Sequence, residues 1–204
     1  MIKGIAIRSL ALARGDRVLI EGLDLDVAAG EAVVLSGPNG AGKTSLLRAV
    51  AGLIRPLSGV IAIKGDSGEI PLEDAIAREA HLIGHQDALK TARLAWDEVL
   101  FQVRWTGGTA GSAKAACARM GLDAMLALPV RKLSAGQRRR LALVRLSASP
   151  RALWLLDEPL APLDRVQRAR FGELMTLHLA RGGLILAAAH DPLPVKSRSI
   201  EIAA

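Results

Sequence analysis

The stretch that most limits what this chain can become runs Gly37, Pro38, Asn39, Gly40, Ala41, Gly42, Lys43, Thr44, Ser45. From Gly37 to Thr44 it fits G-x-x-x-x-G-K-[ST], a loop whose backbone N–H groups turn inward around phosphates. Ala32, Val33, Val34 and Leu35 before it form a short apolar run of the kind that makes a strand covered on both faces. From Thr44 onward the spacing of Leu46, Leu47, Val50 and Leu53 is helical, and Gly52 and Pro56 mark the end of that helix. Strand, glycine-rich turn and helix in that order place the positive end of the helix under the phosphates. Lys43 then supplies a point charge to the outer phosphates, and Thr44 offers a hydroxyl to Mg²⁺.

A second strand carries the complementary chemistry. Ala152 to Leu156 is apolar and ends in Asp157 and Glu158, which brings two carboxylates to the sheet edge near the loop. Asp157 can hold the shell of Mg²⁺, while Glu158 can polarise a water for in-line attack on a γ-phosphate. Between the two strands, Leu133, Ser134, Ala135, Gly136 and Gln137 precede a helix carrying Leu141, Val144 and Leu146. Ser134 and Gln137 have the spacing of a capping box. Capping does not account for Gly136, which weakens a helix but lets another backbone or a phosphate come close.

The rest of the chain reads as α/β with a helical insertion. Residues 2–27 alternate as short antiparallel strands, with Leu19, Leu23, Leu25 and Val27 inward and Asp24 and Asp26 outward. Residues 91–133 have helical patterning (Trp96, Val99, Leu100, Val103) interrupted by a flexible stretch at 107–111. After Pro150 the α/β pattern returns, with a helix over 166–179 and a buried strand over 184–189. The division predicted is a core built from 1–90 and 150–204, with 91–149 as a helical subdomain carrying Ser134.

Composition narrows the partners. Half of the 204 residues are hydrophobic, enough for a real core, yet no apolar run approaches the ~20 residues that cross a bilayer. The single Cys117 lies among alanines and reads as a buried thiol, which fits a cytoplasmic protein. A formal charge of +7 favours anionic partners. With two Phe, three Trp and no Tyr, a stacking platform for nucleic acid is poorly supported, and none is expected. His81 and His85 are four apart, but Leu82, Ile83 and Gly84 between them read as strand and turn, against a helical metal pair. Arg138, Arg139 and Arg140 read as the wet face of a helix beside Gly136.

Residues 133–137 resemble the LSGGQ signature of ABC ATPases, and the order of phosphate loop, signature and Asp-Glu strand is that family's order. The resemblance spans essentially the whole chain. It implies a P-loop NTPase fold with a RecA-like core, an antiparallel β edge region and an inserted helical subdomain, binding ATP and Mg²⁺. It implies that Gln86 is the lid glutamine that meets the metal and links the site to a membrane partner. It implies that Asp164 belongs to a dimer-facing loop and that His190 is the switch histidine at the γ-phosphate. It also implies that Ser134, Gly136 and Gln137 act across a homodimer, on ATP held by the other copy.

Gly84-His85-Gln86, Leu89-Lys90-Thr91, the run from Leu133 to Leu143, and His190-Asp191-Pro192-Leu193 resemble the haem-exporter ATPases of cytochrome c maturation. That resemblance implies integral membrane partners of the maturation system and a place on the cytoplasmic face of a bacterial inner membrane. The ATPase of an unrelated ABC exporter or importer is the alternative. In place of one of the two usual signature glycines stands Ala135, and no aromatic stands near Ala13 to stack adenine, leaving Arg14 or Arg17 for that contact.

Overall fold

In the computed structural model, which describes residues 1–202, two long strands come first. These are β1 (Ile2–Arg14) and β2 (Arg17–Ala28), paired antiparallel from Gly4 opposite Ala28 to Arg14 opposite Arg17. They are longer than the short strands expected and contain three register shifts. Each shift changes which side chains face inward. Leu25 and Val27 are buried as their alternation requires, but Ile20 takes the inward place expected of Leu19, and Leu19 and Leu23 are only half-buried.

β3 (Ala32–Ser36) starts a second sheet and leads through the glycine-rich loop into α1 (Lys43–Val50). Leu46, Leu47 and Val50 pack inward, whereas Leu53 lies past the end of the helix and is exposed, contrary to its place in the helical spacing. β4 (Ser58–Gly65) and β5 (Gly68–Ile70) complete the first sheet in the order β2-β1-β4-β5, antiparallel throughout. α2 (Leu72–Glu79) and β6 (Ala80–Ile83) follow.

Then come α3 (Ala95–Trp105), α4 (Ala110–Arg119) and α5 (Ala135–Ala148), with single 3-10 turns at Asp123–Met125 and Val130–Lys132. The break between α3 and α4, at 106–109, overlaps the expected stretch at 107–111, but Ala110 and Gly111 already belong to α4, which Thr109 and Ser112 cap reciprocally. The chain ends with β7 (Leu153–Asp157), α6 (Arg165–Ala180), β8 (Leu184–Ala188) and β9 (Arg198–Glu201). The second sheet is parallel, in the order β6-β7-β8-β3-β9.

Strand alternation splits the core across this parallel sheet. Val33, Leu35, Leu153, Leu155, Leu184 and Leu186 face α1 and the antiparallel sheet. Val34, Trp154, Leu156, Ile185 and Ala187 face the helices. A fully buried Leu or Val contributes roughly 1.5–3 kcal/mol, so both faces hold β3, β7 and β8 firmly in register. Ala188 pairs with Leu35 on one side and Asp157 on the other. The ends of β3, β7 and β8 are therefore level, and whatever follows each strand meets the others at one edge. Cys117 is fully buried between helices, and burial pushes its thiol up to about 11.

Candidate active site

At that edge lies a cleft of about 690 Å³. Asn39, Gly40, Gly42, Lys43, Thr44 and Ser45 line it from the glycine-rich loop and α1, Asp157 from the end of β7, Glu158 from just past it, and His190 from beyond β8. These residues are far apart in the sequence and meet because their strands end level.

The loop has the geometry its sequence predicts. Gly37 has φ +127°, and a Cβ there would come within 2.4 Å of the Ile202 carbonyl oxygen, so only glycine fits. α1 begins without a side-chain cap and with no acidic residue in its first turn. Its leading N–H groups are thus left for an anion. Lys43 is 92% out of solvent contact by its 8% exposure, and its Nζ donates to the carbonyls of Gly37 (2.6 Å) and Pro38 (2.9 Å). Those two residues and the buried Ala41 support the loop without lining the cleft.

Opposite the lysine, the Thr44 hydroxyl donates to both carboxylate oxygens of the buried Asp157, at 3.0 and 3.1 Å. A hydroxyl beside a carboxylate is a pair of hard oxygens of the kind that would suit Mg²⁺. Glu158 has φ +48°, unusual for a residue with a side chain, and its amide donates to the Ala188 carbonyl at 2.8 Å. That kink turns its carboxylate away from the strand line. His190 Nε2 lies 3.1 Å from Asn39 Oδ1 and 3.7 Å from Glu158 Oε1, so one imidazole touches both the phosphate loop and the candidate base.

The residues around Ser134 stand apart from this cleft. Ser134 caps α5, accepting from the Gln137 amide at 3.2 Å while its own amide donates to Gln137 Oε1 at 2.8 Å. At Gly136 a Cβ would lie 2.8 Å from the Pro162 carbonyl oxygen, so its smallness admits a neighbouring backbone, the loop leading to Asp164. Asp164 caps α6 by accepting from the Gln167 amide. Among the described residues, Ser134, Gly136, Gln137, Asp164 and Gln86 do not line the cleft. Gln86 is exposed, and its neighbour His85 reaches the cleft in its place.

Arg14 and Arg17 line the cleft as expected, and Leu19, Arg48, His85 and Ala161 join them unannounced by any motif. For Arg48 a signal was present, one helical turn beyond Thr44 on α1. Arg138 and Arg140 are half-buried, and Arg139, expected on a wet face, is only 1% exposed. His81 is also buried, its Nε2–H donating to the Ser149 carbonyl at 2.7 Å.

Comparisons with known proteins agree with this geometry. Residues 20–161 match the family model described as ABC transporter. The chain is 48% identical over 195 residues to the "Cytochrome c biogenesis ATP-binding export protein CcmA" of Rhodopseudomonas palustris (strain BisB18), covering 96% of each. It is 46% identical to the protein of that name from Bradyrhizobium diazoefficiens, again over 96% of each. Among solved structures it superposes on the dimeric ABC transporter cassette MJ0796 with a TM-score of 0.82, at 20% identity, covering 98% of this chain and 94% of that one. A putative ABC transporter ATP-binding protein from Pyrococcus furiosus gives 0.81 at 20% identity, covering 98% and 97%. The level ends of β3, β7 and β8, the phosphate loop and this likeness have one reading: the chain belongs to the ABC transporter family, among ATP-binding subunits of the CcmA type.

Proposed function

We propose that this protein hydrolyses ATP as the motor subunit of an export system for cytochrome c biogenesis. The observation that carries the ATPase reading is the convergence of Lys43, Thr44, Asp157, Glu158 and His190 on one cleft. Lys43 and the N–H groups opening α1 hold the β- and γ-phosphates. Thr44 and Asp157 would hold Mg²⁺, which would neutralise charge on the phosphate oxygens. Glu158 accepts a proton from the attacking water, and His190, bridging Asn39 and Glu158, senses the γ-phosphate. Arg14 and Arg17, which line the cleft, would stack adenine on a guanidinium.

Ser134, Gly136 and Gln137 have no cleft to serve in their own copy, which supports a homodimer in which each signature closes the partner's ATP site. Asp164 and the adjoining loop then face the two-fold axis. Residues 1–90 and 150–204 act as the nucleotide-binding core, and 91–149 as the helical subdomain that carries the signature. Gln86, exposed beside the cleft residue His85, would supply a further oxygen to the metal.

The relatives' name supports a role in export for cytochrome c biogenesis. In that role the protein works from the cytoplasmic face of the inner membrane, docked on the system's integral membrane subunits, with haem or a haem-loaded chaperone as cargo. No helix among the described residues is long and apolar enough to cross a membrane. The test is to replace the chromosomal gene by Glu158→Gln while purifying the tagged protein from membranes. The reading expects recovery with maturation membrane subunits and loss of periplasmic holocytochrome c. Normal holocytochrome levels, or recovery with another transporter's subunits, would assign the ATPase to a different cargo.

A further inference from the structure

Arg139 is only 1% exposed and sits on the second turn of α5, the helix that Ser134 caps. A guanidinium has five N–H donors in a fixed plane, and here every one is used. Nε donates to the Pro159 carbonyl (3.3 Å). Nη1 donates to the Gly84 carbonyl (2.8 Å) and to Asp87 Oδ1 (3.0 Å). Nη2 donates to the carbonyls of Asp157 (2.7 Å) and Glu158 (2.9 Å).

Those acceptors belong to two segments that the reaction needs. Asp157, Glu158 and Pro159 are three successive carbonyls at the end of β7, where the Glu158 backbone takes its left-handed kink. Gly84 and Asp87 bracket His85 and Gln86. Three consecutive carbonyls turned toward one cation leave little freedom for the backbone that aims the Glu158 carboxylate. A left-handed backbone at a residue with a side chain persists only where its surroundings over-determine it. The bonds from Arg139 supply part of that determination. They also tie both segments to the signature helix.

We propose that Arg139 is a positioning residue for ATP hydrolysis. It sets the Glu158 backbone and the 84–87 loop relative to α5, so that movement of the signature helix is transmitted to the candidate base and to Gln86. It touches neither nucleotide nor metal, and it acts through the carbonyls it holds. The inference rests on the ATPase reading above and deepens it. Lysine cannot replace it, because an ammonium has three donors around a point and cannot span five acceptors in a plane.

The test uses the full-length protein with its steady-state ATPase, its affinity for a fluorescent ATP analogue and its melting temperature measured together. Arg139→Lys should keep nucleotide affinity within about twofold and lose ~10-fold in kcat with little change in KM, as expected when a reacting group is displaced by a fraction of an ångström. Asp87→Ala serves as the second variant, because Asp87 is partly exposed and its loss leaves the buried guanidinium four acceptors. It should lower kcat about threefold with affinity unchanged. Wild-type kcat in both folded variants would overturn the proposal. So would a parallel fall of kcat, affinity and melting temperature, which marks a merely structural role. If the wild-type protein itself released no phosphate, the ATPase reading would fail instead, independently of Arg139.

Discussion

The Thr44 hydroxyl donates to both carboxylate oxygens of Asp157 across 113 residues of sequence. The start of α1 and the end of β7 thus share a hard-oxygen pair, and the strand register that levels β3 with β7 is what brings them together.

That pair predicts a defined metal phenotype. Asp157→Asn should still bind ATP without metal, because the phosphate loop is intact. The Mg²⁺ concentration needed for half-maximal ATPase should rise at least ~10-fold, the scale of loss when a metal-site partner is replaced. Titrating MgCl₂ at saturating ATP checks this, and an unchanged half-maximal concentration would move the metal elsewhere.

Lys43 and Glu158 should separate binding from chemistry. Lys43→Ala removes the cation now held by the Gly37 and Pro38 carbonyls and should lose ATP affinity. Glu158→Gln keeps the kinked backbone and the amide bond to Ala188, and should bind ATP normally while turnover drops by ~100-fold or more. Equilibrium binding and phosphate release, measured on the same preparations, distinguish the two.

Gly136→Ala puts a Cβ 2.8 Å from the Pro162 carbonyl oxygen, too close for either backbone to stay in place. Overpacking of this kind costs about 1–3 kcal/mol. The variant should melt at lower temperature and hydrolyse ATP more slowly. Thermal unfolding together with turnover checks it.

Acid should weaken the fold through His81. Burial lowers its pKa from 6.5 to about 3. Between those values the unfolded chain binds a proton that the folded protein refuses, so stability falls as pH drops from 6.5 toward 3 and is unaffected by this group above 6.5. At pH 5 the loss is about 2 kcal/mol. Burial lowers His178 as well, and it acts in the same direction. Urea unfolding at pH 7 and pH 5 should show a smaller difference in His81→Gln than in the wild type, and equal differences would contradict the assignment.

Much of this site can be read without coordinates, because its chemistry sits in short contiguous motifs with a physical reason for each residue. The phosphate loop, the Asp157-Glu158 pair and the Ser134–Gln137 cap all have that form. The fold is less legible where burial does not alternate. In β4 only Ile63 is fully buried, so no period of two emerges. Ile20 displaced Leu19 because register shifts, invisible in the sequence, changed the face. Arg139 was misread for a different reason. A charged side chain in a basic run looks solvated unless its acceptors are visible, and here four of the five are backbone carbonyls, which leave no trace in the side-chain sequence.

The central claim is that one copy's signature completes the other copy's phosphate loop, and thiol cross-linking across that junction tests it most directly. Asn39→Cys on one copy and Ser134→Cys on another, both in a Cys117→Ser, Glu158→Gln background, are mixed and oxidised with and without Mg-ATP. The account predicts a disulfide-linked dimer that forms with ATP, requires both thiols and is absent without nucleotide. A cysteine pair that stays uncoupled at saturating ATP, or that closes within a single chain carrying both substitutions, would contradict it.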